Sequence, residues 1–185
     1  MPPDSSDKSY QVHRPDFLWR VIGRFDTYIG STNTKAALLG TFNTFVLGTI
    51  VLKWKDLQTI LNGHPKSMFW AAVFVTIAAV ATLISLAFAF VAIHPFLKSY
   101  KKPGGYHSNI FFMHVSEHAT GDDYRAALLQ ANEDAILTDL CHQAHALACG
   151  VGAKMLLLQK SVLATVVALA SIAGVVVCLF IASVV

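Results

Sequence analysis

Ser67 to Leu97 reads SMFWAAVFVTIAAVATLISLAFAFVAIHPFL and contains no Lys, Arg, Asp or Glu. A helix needs about 20 apolar residues to cross a bilayer. This stretch exceeds that length. It is also apolar all round, unlike a helix lying on a soluble core, and it lacks the alternation of a half-buried strand. The reading is a transmembrane helix, with the rest of the chain as its flanks.

Composition agrees. Of 185 residues, 55% are hydrophobic and 14% charged, and mean hydropathy is +0.54. These values place the chain among membrane proteins. The net charge of +3 is too mild to indicate a nucleic-acid partner. Cys141, Cys149 and Cys178 show no C-x-x-C spacing and read as small residues of a reducing compartment, not as a disulfide framework. The first residues, MPPDSSDKSYQ, have no basic region leading into an apolar one. No cleavable signal peptide is expected, so the first span directs insertion.

Residues 1–15 read as a flexible N-terminus. Residues 16–35 read as a cytoplasmic amphipathic helix. Phe17, Leu18, Val21, Ile22, Phe25, Tyr28 and Ile29 recur at spacings of three and four, with Arg20, Arg24 and Asp26 between them. Its apolar face either packs on other helices or lies among lipid headgroups. Residues 36–97 read as a hairpin of two transmembrane helices. Ala36 to Leu52 is uncharged and bracketed by Lys35 and Lys53, with Trp54 as an interfacial anchor. Gly40, Thr44 and Gly48 form a small-residue face that admits close approach of another helix. Asn43 is the most polar group of the run. Its two roles are an interhelical hydrogen bond and a place on a pore wall. Asn62-Gly63 marks the turn, and His94-Pro95 marks a kink or an exit from the second span.

Residues 98–160 read as a cytoplasmic helical region. KSYKKPGG at its start is a loop, and SNIFFMHVSEH is a short helix or a buried strand that periodicity does not decide. From Asp122 the spacing is helical again. No proline interrupts Asp122 to Val185, so one long helix is expected, with a hinge near Gly150. Residues 161–185 form the third span, in which Ala170 and Gly174 repeat the small-residue spacing. Lys and Arg counts put both large flanks, and hence the N-terminus, on the cytoplasmic side. The fold class is therefore an all-α membrane protein: about three transmembrane helices with a cytoplasmic helical layer, the last helix long and continuous with that layer.

Catalytic motifs are sparse. His114-Val-Ser-Glu-His118 matches the H-x-x-E-H pattern of inverted zinc peptidases, in which His114 and His118 would share a helix face beside Glu117 as base. The more ordinary reading is an incidental match, and neither a metal nor a cofactor is expected. His142 and His145, three apart, add only a conceivable extra ligand. There is no P-loop and no G-x-G-x-x-G. The spans carry no charge, which argues against an ion-coupled pump. Three such helices cannot enclose a channel alone, so the chain either is inert in the membrane or assembles.

Two stretches together resemble a known family. STNTKAALLG at residues 31–40 is similar to the entry into the first span of the small membrane effectors of bacterial pyrimidine cyclase antiphage systems (Pycsar). Asn109 to Lys160 resembles their second half. An Asn-led Phe-Phe segment (Asn109, Phe111, Phe112) precedes an acidic-Tyr helix start (Asp122, Asp123, Tyr124). An acidic-to-Gln stretch (Asp139 to Gln143) follows, and then a Lys (Lys154) before the last span. Ser31-Thr32, where an acidic residue is common, and the His-rich 107–118 region depart from the pattern.

The resemblance implies an inner-membrane effector of antiphage (antiviral) defence acting by abortive infection, not an enzyme. A partner cyclase would make cyclic UMP or cyclic CMP. The effector would respond by impairing the membrane as a homo-oligomer. An anionic pyrimidine ligand needs cations and a stacking ring. Arg14, Lys98, Lys101, Lys102, Arg125 and Lys154 are the candidate cations, and Tyr100, Tyr106 and Tyr124 the candidate rings. Positive-inside anchoring is the competing reading for every one of these charges. The alternative function is a non-enzymatic membrane scaffold or accessory subunit of a larger complex.

Overall fold

Apolar run length and capping chemistry together determine where this chain is helical. A computed structural model describes residues 13–95 and 107–184. Among them are five helices: α1 (Arg14–Ile60), α2 (Pro65–Ile93), α3 (Phe112–Val115), α4 (Gly121–Gln130) and α5 (Glu133–Val184). No strand occurs among the described residues. Three helices, α1, α2 and α5, are long and apolar enough to cross a membrane. Residues 1–12 and the KSYKKPGG loop lie outside the described residues.

The amphipathic segment and the first span are one continuous helix, α1. Neither Gly23, Gly30 nor Gly40 breaks it. It ends in a turn in which Gly63 has a φ of 97°, a left-handed conformation that glycine adopts without steric cost. Pro65 then opens α2 in its first turn, where a missing N–H costs nothing. The expected exit at His94-Pro95 is present. His94 leaves the helix with ψ of 137°, because a residue before proline is pushed away from the helical region.

One expectation needs correction. The helix from Asp122 is not continuous. It breaks at Ala131-Asn132, where Ala131 is extended. No proline is needed, because Asn132 outcompetes the helix locally: its Oδ1 accepts the Ala135 N–H at 2.7 Å. Glu133 and Asp134 in the first turn of α5 favour the same start through the helix dipole. Beyond that point α5 runs unbroken through Gly150 and Gly152. The undecided SNIFFMHVSEH segment is a loop with a single helical turn, α3.

The chain divides into two units. The first takes the described residues up to Tyr28 and from 107 to Val151. Its core is Ile22, Leu140 and Ala144, flanked by Leu18, Val21, Phe25, Ile110 and Leu147. The apolar face of early α1 therefore packs on protein, while Phe17 and Trp19 stay exposed.

The second unit takes Ile29–Pro95 and residues 152–184. Its buried positions are mostly small or polar, with Val46, Leu61 and Leu158 as larger apolar members. Ala71, Ala78, Thr82, Ser85, Ala89 and Ala92 line α2; Thr32, Ala36 and Asn43 line α1; Leu158, Ser161, Thr165 and Ala168 line α5. Their spacings of three, four and seven are those of helices packed along a heptad seam. Leu38, Phe45, Phe90, Leu163 and Phe180 are exposed. This inversion is what a lipid environment selects. Large apolar groups lose nothing by facing acyl chains, and small ones let backbones approach.

Gly174 shows how close that approach is. A Cβ placed on it would lie 2.9 Å from Cδ1 of Phe74 and 3.0 Å from two further ring atoms. Gly174→Ala is expected to force the ring aside and lower the thermal midpoint of the detergent-purified chain, at an overpacking cost of about 1–3 kcal/mol. Gly174→Ala combined with Phe74→Leu is expected to recover most of the loss. A midpoint unchanged by Gly174→Ala would show that the two helices are not in this contact.

Candidate functional site

In the first unit, the loop at residues 107–111 is held by its own backbone. Ser108 Oγ accepts the N–H groups of Ile110 (3.2 Å) and Phe111 (3.0 Å). The Ser108 N–H donates to His114 Nδ1 at 2.9 Å. Asn109 is gripped from both ends. Its N–H donates to Asp139 Oδ2 at 2.7 Å, and its carbonyl accepts from the Tyr124 hydroxyl at 2.6 Å. Asp139 is 3% exposed, so the bond to Asn109 is a charge-assisted one in a nearly dry position. One loop, α4 and α5 are thus tied together through a single residue.

Beside this knot is an open cleft of about 350 Å³ lined by His107, Asn109, Asn132, Asp134, Thr138 and Asp139. Its volume is at the lower end for small-molecule sites. The carboxylates and Thr138 offer acceptors, and the amides offer both donors and acceptors.

Three histidines cluster next to it. His107 stacks on His114 with ring centroids 4.7 Å apart and meets His118 edge-on at 5.4 Å. His107 Nε2 lies 3.0 Å from Glu117 Oε2. The helical premise of the H-x-x-E-H reading does not hold. α3 ends at Val115, so His114 and His118 do not share a helix face. Among the described residues, no group of three or more His, Cys, Asp or Glu could hold a metal ion.

The other candidate ligand residues are dispersed in role. Arg14 and Arg125 are solvent-exposed. Tyr124 is half-buried, with its hydroxyl committed to Asn109 and its ring against His118 at 5.4 Å. Lys98, Tyr100, Lys101, Lys102 and Tyr106 lie outside the described residues.

Lys154 belongs to the second unit and is 5% exposed. Its ammonium donates to the carbonyls of Ala92, Ile93 and His94 and to Asn33 Oδ1. The last carbonyls of α2 have no partner within their own helix, and a cation there also complements the helix dipole. One lysine of α5 therefore caps α2 and ties it to α1. Sequence reasoning saw the charge but not this use of it.

The packing candidates also separate. Asn43 and Gly174 are inside the three-helix unit. Ala170, Thr44 and Gly48 are exposed, and a Cβ on Gly40 or Gly48 would meet nothing within 4 Å. Among the described residues, the Gly40 and Gly48 positions show no close helix approach of the kind seen at Gly174. Asn43 is fully buried. Its Nδ2 donates to the Leu39 carbonyl (2.8 Å) and to the hydroxyl oxygens of Thr165 (3.0 Å) and Ser85 (3.2 Å). Ser85 in turn reaches Ser161. Of the roles open to Asn43, the interhelical hydrogen bond is made.

The resemblance drawn from the sequence now has a physical core. Its scattered second-half positions Asn109, Tyr124 and Asp139 meet in one hydrogen-bonded knot, and Lys154 joins three helices. A model of the Pycsar effector protein domain matches residues 17–182. The chain belongs to the Pycsar effector family. It is also 28% identical over 145 residues to the Pycsar effector protein EcPycTM of Escherichia coli, a match covering 77% of each protein. No solved structure matches. The three long apolar helices and this family place the chain in a membrane.

Removing either hold on Asn109 has a defined consequence. Asp139→Ala leaves a sequestered N–H without its acceptor, which costs about 1–3 kcal/mol. Tyr124→Phe removes a neutral donor to an oxygen with a second lone pair, at about 1 kcal/mol. Both variants are expected to lower the thermal midpoint, Asp139→Ala the more. Because they grip one residue, the double variant is expected to lose less than the sum. Strict additivity in a double-mutant cycle would show that the two bonds are independent.

Proposed function

We propose that this chain is the membrane effector of an antiphage system. It is activated by cyclic UMP or cyclic CMP from a partner cyclase, and it impairs the inner membrane as a homo-oligomer without catalysing a reaction. The family match over residues 17–182 carries the reading. The composition of the spans supports it. They carry no charge of their own, and on α1 Thr44 and Gly48 are exposed and a Cβ on Gly40 or Gly48 would meet nothing within 4 Å among the described residues. Small-residue faces of that kind associate helices in lipid.

Activation requires that the nucleotide bind one packing arrangement more tightly than another, because equal affinity shifts nothing. The cleft beside Asn109 suits the neutral parts of such a ligand. The exposed Asp134 and Thr138 can accept hydrogen bonds from ribose hydroxyls or from an exocyclic amine. The acidic lining repels a phosphate, so that group turns to the cationic candidates, of which Arg14 and Arg125 are exposed. Occupying the cleft would alter the hold on Asn109, whose partner Asp139 is on α5. The same helix continues to Val184. With the cytoplasmic side set by the Lys and Arg flanks, the cleft faces the compartment in which a cyclase works.

The test is membrane potential and phage yield in cells that hold this chain together with an inducible cyclic UMP or cyclic CMP cyclase. An inactive cyclase is the control. Depolarisation and reduced phage yield are expected only when nucleotide is made. At verified membrane levels, unchanged potential and yield would refute the proposal. Depolarisation with the inactive cyclase would refute gating by the nucleotide.

A further inference from the structure

Among the described residues, the three-helix unit contains one buried side-chain polar atom with no hydrogen-bond partner. Asn43 Oδ1 has no hydrogen-bond partner, and Asn43 is 0% exposed. Interchanging the amide oxygen and nitrogen does not remove the problem. Nδ2 is 2.8 Å from the Leu39 carbonyl, which only accepts. A flipped amide would press two acceptor oxygens together at that distance. The nitrogen must face Leu39, and Oδ1 must face away from it.

The neighbouring hydroxyls are engaged with carbonyls and with one another, Ser85 Oγ lying 2.9 Å from Ser161 Oγ and 2.8 Å from Thr165 Oγ1. A hydroxyl supplies one. Ser161 Oγ is placed to donate to the Ser85 carbonyl at 3.0 Å. Ser85 Oγ is placed to donate to the Ser161 carbonyl at 2.8 Å. Thr165 Oγ1 is placed to donate to the same carbonyl at 3.0 Å. Thr82 Oγ1 is placed to donate to the Ala78 carbonyl at 2.7 Å. The two hydrogens of Nδ2 are spent on Leu39 and on the shared pair Ser85 and Thr165. The node has a surplus of lone pairs and a deficit of hydrogens.

A group that enters this node must therefore donate. It must be small, because the surrounding positions are packed. It must be neutral, because the node holds no carboxylate and an unpaired charge between apolar helices is prohibitively costly. Buried polar groups left over in this way are commonly satisfied by an internal water making two to four hydrogen bonds. A water here would donate one hydrogen to Asn43 Oδ1 and the other to a free lone pair of a node hydroxyl.

We propose that Asn43, Ser85, Ser161 and Thr165 form a hydration site inside the membrane unit, holding an internal water between Asn43 Oδ1 and the node hydroxyls. This inference stands on the hydrogen-bond inventory and is independent of the nucleotide. It gives Asn43 a role beyond holding helices together.

The experiment uses the full chain, isotopically labelled, in lipid bilayers, and reads magnetisation transfer from water by NMR. The expected result is transfer to the Asn43 side-chain amide several-fold above that to the backbone amides of Ala78 and Ala168, which are buried in the same seam. Transfer at Asn43 no greater than at those alanines would overturn the proposal. Asn43→Ala is expected to reduce transfer at Ser85 and Thr165 to the alanine level. Thr165→Val keeps Oδ1 and is expected to leave transfer at Asn43 in place. Persistence of the signal in Asn43→Ala, or its loss in Thr165→Val, would place the water on the hydroxyls and overturn the assignment to Asn43.

Discussion

Inside a bilayer bulk water does not reach a hydrogen-bonding group, so a polar side chain on a span must find a partner on its own helix, on another helix or in a trapped water, or remain costly. In this chain that constraint falls on Asn43. Its amide reaches Ser85 of α2 and Thr165 of α5 at once, and Ser161 completes the ring of contacts. The magnitudes argue that the node specifies more than it stabilises. Interhelical hydrogen bonds in membranes contribute about 0.6 kcal/mol on average, whereas one buried carbonyl oxygen left unpaired costs about 1–3 kcal/mol. What the node supplies is register. Sliding α2 or α5 by a residue would place Ile84, Leu86, Ala164 or Val166 against the Asn43 amide and remove its interhelical bonds, leaving only the one to Leu39 of its own helix. A single polar residue at a seam position is known to fix alignment in this manner.

The remainder of the three-helix unit follows from that alignment. With Asn43 facing Ser85 and Thr165, the buried positions of α2 are Ala78, Thr82, Ala89 and Ala92, and the larger side chains point outward. Close approach then becomes obligatory, and Gly174 accommodates the Phe74 ring. Lys154 caps the end of α2 through three carbonyls and holds Asn33. A buried ammonium with four oxygen acceptors is tolerable where an unpaired one would not be.

The first unit solves a different problem. It is held together by an ordinary apolar core of Ile22, Leu140 and Ala144. Its specificity lies in Asn109, whose backbone is bound on both sides by side chains far away in sequence. α1 and α5 each contribute residues to both units. α5 runs unbroken from Glu133 to Val184 through both.

Apolar run length alone determined the class of this protein. Ser67 to Leu97 and Ser161 to Val185 are long and uncharged enough to read as spans, and Ala36 to Leu52 is at the short end of that range, because a helix needs about 20 apolar residues to cross a bilayer. Glycine at 63 and proline at 95 marked their boundaries for reasons local to the backbone. The break at Asn132 was legible in principle, since Asn followed by two acidic residues is a helix start, but helical periodicity on both sides concealed it. The sequence also carried the family pattern at Asn109, Tyr124, Asp139 and Lys154. It could not say what those positions do, because a hydrogen bond between residues 15 or 30 apart depends on where whole helices lie. For the same reason only the tertiary structure decided between the roles of the small and polar residues. Gly174 packs inside while Gly40 and Gly48 do not, and Asn43 faces two other helices. One-dimensional spacing defines a face but not its partner, and the partner is chosen by how three helices satisfy their polar groups together.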